Sequence, residues 1–242
     1  MVNQENKIEA ITDIPFELDV EDLLEKIHVE TGSSDAREFE ALVQKVQKRG
    51  KPKVVYTESF IQSRGEKTVT IDNVTFTSRT LCMNLEKVER VFPYVATCGR
   101  EVDEIRFPEG ELLKAFWLDT IKETLLDFAC QYLDGHLTHK YMLAKISSMS
   151  PGSGDTIIWP IEQQKQLFSL FGNVEDLIGV SLTDSCLMIP IKSVSGIRFP
   201  TEIDFRSCQV CHREKCPSRS APFDKGLWES IQLDKEFEAS HI

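Results

Sequence analysis

The stretch "SCQVCHREKCPSRS" places Cys208, Cys211 and Cys216 in a C-x2-C-x4-C pattern, in a polar segment closed by Pro217. Thiolates at that density can wrap one metal centre from a single loop. A zinc site and a [4Fe–4S] cluster each take four ligands, so a remote residue has to supply the fourth. His212 adjoins Cys211 and is badly placed to share its metal. Cys98, before Gly99 at a strand end, is the first candidate, and Cys186 is the second. Iron–sulfur cluster, structural zinc and unligated redox-labile thiols are the three readings of the loop.

The other titratable groups are less distinctive. The chain has seven cysteines, an odd number that argues against a disulfide framework. Cys82, Cys130 and Cys186 sit among apolar neighbours, where cysteine is usually a small buried hydrophobe. His136 and His139 share a helix face at i, i+3, but with no carboxylate or cysteine at matching spacing they read as packing or surface residues. No Ser-His-Asp or Cys-His arrangement is visible. No G-x-G-x-x-G follows a strand and no G-x4-G-K-[ST] occurs, so the two common nucleotide folds are unsupported.

Composition bounds the class. With 242 residues, 41% hydrophobic and 28% charged, the chain is long enough for a large core and has the balance of a soluble protein. No apolar run is long enough to span a membrane. The N-terminal "MVNQENKIEAITDIPFELDVEDLL" lacks a basic n-region and an apolar h-region, and a cytoplasmic location is expected. A net charge of −11 argues against a nucleic-acid partner. Around the cysteines the trend reverses: Arg206, Arg213, Lys215 and Arg219 outnumber Glu214. That is either a solvated loop or a positive rim for an anionic cluster or an acidic partner.

The elements that must position these groups follow from periodicity. "SSDAREFEALVQKVQKRG" is a helix, with Asp35 and Glu38 at capping-box spacing, a Phe39, Leu42, Val43, Val46 stripe and Gly50 as its stop. "VEDLLEKIHVE" is a shorter helix before it. "KVVYTESF", "KTVTI" and "VTFTSRTL" are β-rich, with Asp72-Asn73 as a hairpin turn, and "FPYVATCG" is a buried strand. Residues 109–145 are helical, with Gly135 as a break. The loop "SMSPGSGDTIIWP" precedes the helix "IEQQKQLFSLFG". The strand-like runs "LIGVSLT", "CLMIPI" and "KSVSGIRF" and a last helix, "FDKGLWESIQLDKEFEA", complete the chain. The order predicts an α+β fold, an antiparallel sheet with flanking helices.

One block is more specific than its periodicity. "SPGSGD", a helix, and then Leu182, Thr183, Asp184, Ser185, Met188, Pro190, Ser193, Val194, Ser195 and Gly196 resemble the activation (reactivation) domain of cobalamin (vitamin B12)-dependent methionine synthase. The family's signature there is a proline-glycine loop, a helix and L-T-[DE]-S-x-x-M-x-P-x-x-S-V-S-G. "YVATCGREVDEI" is similar to the T-x-G element of its stand-alone members. The resemblance covers residues 145–200 most fully and extends to about residue 90. It divides the chain into an N-terminal α+β region (1–90), an activation-domain-like core (91–205) and a cysteine loop with its helix (206–242), which can also form one compact domain.

The resemblance implies S-adenosylmethionine binding in a shallow site and docking on a corrinoid-binding partner that carries the cobalamin. Residues Ser150, Gly152, Gly154, Asp184, Ser185, Ser193 and Ser195 would hold the cofactor. It further implies reductive reactivation of a methyltransferase or methionine synthase, whose oxidised cobalt takes one electron and is trapped by methyl transfer. Positioning of donor over acceptor is the protein's task, and no acid–base set is expected. The chain departs from the family at one place. Ser148 stands where the family's loop carries an arginine, and Ser153-Gly154 replaces its Y-P, leaving Lys145 as the nearby cation. Loss of a charge-assisted bond to the donor's carboxylate removes roughly 1.5–3 kcal/mol.

The cysteine loop has no counterpart in that family. A reactivator consumes electrons, and Pro217 after Cys216 resembles the C-P ending of ferredoxin-like runs, so a [4Fe–4S] cluster on Cys208, Cys211, Cys216 and Cys98 is the first reading and zinc the alternative. A ferredoxin or flavodoxin would feed it. No D-x-H-x-x-G corrinoid motif occurs, which places the cobalamin on the partner. The competing functional readings are a non-catalytic docking module stapled by zinc and a divergent methyltransferase. The latter is disfavoured by the lack of a substrate-activating zinc triad.

Overall fold

The computed structural model describes residues 8–154, 158–202, 205–216 and 219–229. In chain order its elements are β1 (Ile8–Ile11), α1 (Val20–Lys26), α2 (Ser34–Arg49), β2 (Lys53–Thr57), β3 (Ser59–Arg64), β4 (Thr68–Ile71), β5 (Val74–Thr77) and α3 (Arg79–Asn84). They continue with β6 (Arg90–Thr97), α4 (Leu112–Tyr141), β7 (Ile146–Met149), α5 (Gln164–Ser169), α6 (Val174–Ile178), β8 (Ser181–Leu182), β9 (Met188–Ile189) and β10 (Ser193–Pro200).

Eight strands form one antiparallel sheet, and β8–β9 form a separate two-stranded hairpin. The buried strand β6 is the hub. It pairs with β2, β3 and β10, and β10 in turn pairs with β7. Strands from before and after residue 90 are therefore hydrogen-bonded in one sheet. Helices cover both faces. Ala129, Leu133 and Leu137 of α4 pack on Val54, Tyr56, Phe92 and Tyr94. On the other face Phe171, Val174 and Ile178 meet Val55 and Val95.

Local chemistry explains most element ends. Asp19 caps α1 by accepting from the Glu21 and Asp22 amides, a contact worth about 1 kcal/mol. In α2 the cap is Ser33, whose hydroxyl accepts from Ala36 N–H, and Asp35 lies inside the first turn. The expected Asp35–Glu38 box is thus displaced by an earlier and equally good cap. The stripe Phe39, Leu42, Val43 and Val46 is buried as the periodicity requires. Asp72 and Asn73 both take positive φ (48° and 66°) between β4 and β5, the twist-matched hairpin turn.

Three readings are corrected. "SRTL" is not strand: Ser78 accepts from Leu81 N–H and starts α3. Leu177 and Ile178, which open the expected strand "LIGVSLT", belong instead to α6, capped by Asn173. Gly135 does not break the long helix, because α4 runs unbroken through it for 30 residues. A lone glycine costs only about 1 kcal/mol in a helix, and the buried Ala129, Leu133 and Leu137 bracket it. Residues 225–229 of the expected last helix are helical, and its remainder lies outside the described residues. Among the described residues no helix is long and apolar enough to cross a membrane.

Candidate functional site

Side chains of alternate residues share a sheet face. On β10 this puts Val194, Gly196 and Arg198 on one side and Ser195, Ile197 and Phe199 on the other. The second set is buried against the core that contains Trp159 and Phe76, with Ser195 accepting from Gln164 Nε2 at 3.0 Å. The first set faces α4. There, between β7, β10 and α4, lies a pocket of about 540 Å³, a size suited to a small-molecule ligand.

Each wall has an identifiable origin. Strand β7 contributes Ile146 and Ser148, and the proline-glycine loop contributes Ser150 and Ser153. Gly152 makes that loop turn: it takes φ +76° and donates its N–H to Trp159 O at 2.8 Å. Helix α4 contributes Asp127, Cys130 and Asp134, and the cysteine loop closes the rim with Arg206, Ser207, Cys208 and Ser220. Tyr94 of β6 lies in the wall, its hydroxyl 3.4 Å from Ser148 Oγ.

Four charged residues line this pocket, Asp127, Asp134, Arg198 and Arg206, and of the two arginines Arg198 is the buried one. In the β7–β10 register it stands directly opposite Ser148. Its guanidinium lies over the Tyr94 ring at 4.6 Å, and its Nε is 2.7 Å from Asp134 Oδ1. That contact is off the N–H direction, so it is an ion pair without a formed hydrogen bond, and both atoms are buried without a better partner. Burial pushes the Asp134 carboxyl above its ordinary value, with Arg198 opposing the rise. Burial likewise pushes up Asp127, and it pushes the Cys130 thiol up to about 11.

The expected cofactor residues divide. Ser150 lines the pocket, and Gly152 and Gly154 belong to the loop that forms its edge. Asp184 and Ser185 are exposed in the β8–β9 turn, where Ser185 Oγ meets Thr183 Oγ1 at 3.0 Å. Ser193 Oγ donates to Pro190 O at 2.7 Å and meets Thr97 Oγ1 at 2.9 Å, and Ser195 faces the other side of the sheet. None of these four lines the pocket. Arg198 was the residue that sequence reasoning missed. Its signal was the one charged residue of β10, two positions after Gly196.

The cysteine loop is arranged around a cation. Arg219 donates to the carbonyls of Cys208, Cys211, Arg213 and Ala221. Cys208 Sγ faces the pocket and accepts from Ser220 N–H at 3.4 Å and Ser220 Oγ at 3.5 Å. Among the described residues no three His, Cys, Asp or Glu side chains are placed to hold one metal ion. Cys98 lies in the core shared by α1, α2 and α4, whereas Val210 and Phe205, which flank Cys208, lie in another. The described thiols do not form an assembled metal site in this arrangement.

These environments rank the thiols. Burial alone would raise Cys208, but the Ser220 and Ala221 donors and the Arg219 charge outweigh it and bring it below the ordinary value. Burial pushes Cys98 up to about 12. Thiolate is the nucleophile, so brief iodoacetamide treatment of metal-free protein near neutral pH is expected to label Cys208 well before Cys98 or Cys130. Peptide mass mapping checks the order. Cys98 labelled first would contradict the described burial.

No family model matches the sequence, and no curated protein matches it. Among solved structures the chain is similar to the MetH reactivation domain bound to AdoHcy, with 14% identity and a TM-score of 0.53 over 84% of this chain and 82% of that one. The two chains share a fold.

Proposed function

We propose that this chain is an accessory protein for a corrinoid-dependent methyltransferase or methionine synthase, binding an S-adenosyl ligand in the pocket between β7, β10 and α4. The observation that carries the reading is the place of that pocket. It is walled by the proline-glycine loop and by the strand that ends the methionine synthase signature, in a fold shared with a domain that binds AdoHcy. A corrinoid on the partner would supply the cobalt chemistry, reduction and methylation. This chain's own residues hold the donor. Tyr94 and Val194 give the pocket an apolar floor, Ser150 and Ser153 offer hydroxyls, and α4 screens one side from water. Fixing a donor in this way lowers the barrier by orientation without a proton-transferring residue.

Isothermal titration with S-adenosylmethionine and AdoHcy tests the reading, with saturable binding of both expected. Absence of heat and of any thermal shift with either at millimolar ligand would overturn it.

The iron–sulfur role of Cys208, Cys211 and Cys216, with a ferredoxin or flavodoxin as donor, is supported by their spacing. It is tested separately by metal and sulfide analysis of anaerobically purified protein. About four irons and four sulfides per chain would make the loop the electron entry point. One zinc would make it a staple, and reactivation would then draw its electron directly at the partner.

A further inference from the structure

We propose that Arg198 anchors the carboxylate of the ligand that fills this pocket, with Asp134 as the counter-ion it holds when no ligand is bound. The inference rests on the S-adenosyl reading and names the residue that would recognise the amino-acid end.

The geometry is that of a cation kept available. Arg198 is held on three sides, by the strand register opposite Ser148, by the Tyr94 ring beneath its plane and by Asp134 at its Nε edge. Only 11% of its side chain is exposed, and the residue lines the pocket. The described residues give its terminal nitrogens no hydrogen-bonded oxygen, and its Nε is buried without an aligned acceptor. A guanidinium has five N–H donors. The Asp134 carboxylate and the Cys130 thiol are its neighbours there, and two such contacts leave donors over for a ligand. A ligand carboxylate approaching from the pocket would meet a planar fork suited to bidentate pairing.

The neighbours favour this use. Ser148, directly across the ladder, is too small to cover the guanidinium and leaves space beside it. Its hydroxyl and that of Ser150 add neutral donors on the same side. Arg206 is the pocket's other arginine, but it is exposed on the rim and would be screened by water. Cross-strand placement thus gives the pocket a buried cation although the loop itself contains none.

The test compares S-adenosylmethionine with its decarboxylated form, which keeps the sulfonium and the amine and lacks only the carboxylate. The wild-type protein should bind the intact molecule about 10- to 100-fold more tightly, the range expected for one charge-assisted contact. Arg198→Met alone leaves Asp134 half-buried without its cation and can fail to fold, so the informative variant is Arg198→Met with Asp134→Asn. With an unfolding midpoint near that of the wild type, it should bind the two ligands within about 2-fold of each other, a residual too small to represent a charge-assisted bond. Asp134→Asn alone, which removes the resident carboxylate, should bind the intact ligand at least as tightly as the wild type. Equal binding of both ligands by the wild type, or discrimination retained in the double variant, overturns the role of Arg198 while leaving the S-adenosyl reading intact. Binding of neither ligand by the wild type overturns both.

Discussion

Gly196→Ala is expected to lower the unfolding midpoint by roughly 6–12 °C and to weaken binding in the pocket. A Cβ at Gly196 would sit 2.4 Å from the Met149 carbonyl oxygen, 2.6 Å from Ser150 Oγ and 3.1 Å from Tyr94 Cε1. The serine can rotate away, but the Met149 oxygen is backbone of the neighbouring strand. Strand β7 must therefore move from β10, and the pair that moves includes Arg198 opposite Ser148. Forcing one carbon into a packed site costs about 1–3 kcal/mol, more when backbone shifts. Taking about 3 kcal/mol, a chain of this size loses roughly 2–4 °C per kcal/mol. The substitution tests sterics alone, because Gly196 needs no positive φ. Thermal unfolding by circular dichroism measures it. A midpoint within 2 °C of wild type would mean that the strands are not so closely apposed.

That steric demand also shows what was legible in the sequence. The S-V-S-G run was recognisable as a pattern, and its glycine has a physical reason in the closeness of β7. The α2 stripe and the Asp72-Asn73 turn were legible because both are local: one is a periodicity and the other a pair of residues that tolerate positive φ. Ser150 and Ser153 of the proline-glycine loop line the pocket.

What was not legible depends on pairing between distant segments. No local signal states that Arg198 lies opposite Ser148, because register is set by the whole sheet. Sequence reasoning therefore found an arginine missing from the loop without finding the arginine beside it. The serines divide between the two faces for a related reason. In a strand, residues two apart share a face and adjacent ones do not. The signature's Ser195 consequently turns into the core while Val194 and Arg198 turn towards the pocket. The cysteines are the opposite case, close in sequence and dispersed in their bonding, because Arg219 gathers the loop's carbonyls.

Trp159→Ala should have the largest effect on stability, a loss of about 3–5 kcal/mol and roughly 6–20 °C in the unfolding midpoint. Trp159 is fully buried and meets the Phe76 ring edge-on at 5.7 Å. Its indole donates to Gln163 Oε1 at 3.2 Å. Gln163 in turn is clamped to β5, accepting from Thr77 N–H at 2.7 Å and donating to Thr77 O at 2.6 Å. Beside it, Ser78 donates to Ile158 O at 2.6 Å. These contacts fasten the segment after the proline-glycine loop to the far side of the sheet. The same tryptophan's carbonyl holds Gly152 N–H, so the loss is transmitted to the pocket wall. Removing the ring leaves a void that this hydrogen-bonded frame cannot collapse to fill. Hydrogen exchange at the Gly152 amide should accelerate more than exchange in β2 of the same variant, which separates loosening of the loop from general destabilisation. Uniform acceleration across both segments would show that Trp159 stabilises the fold without positioning the loop. Trp159→Phe, which keeps most of the packing and loses the indole bond, should retain most of the stability.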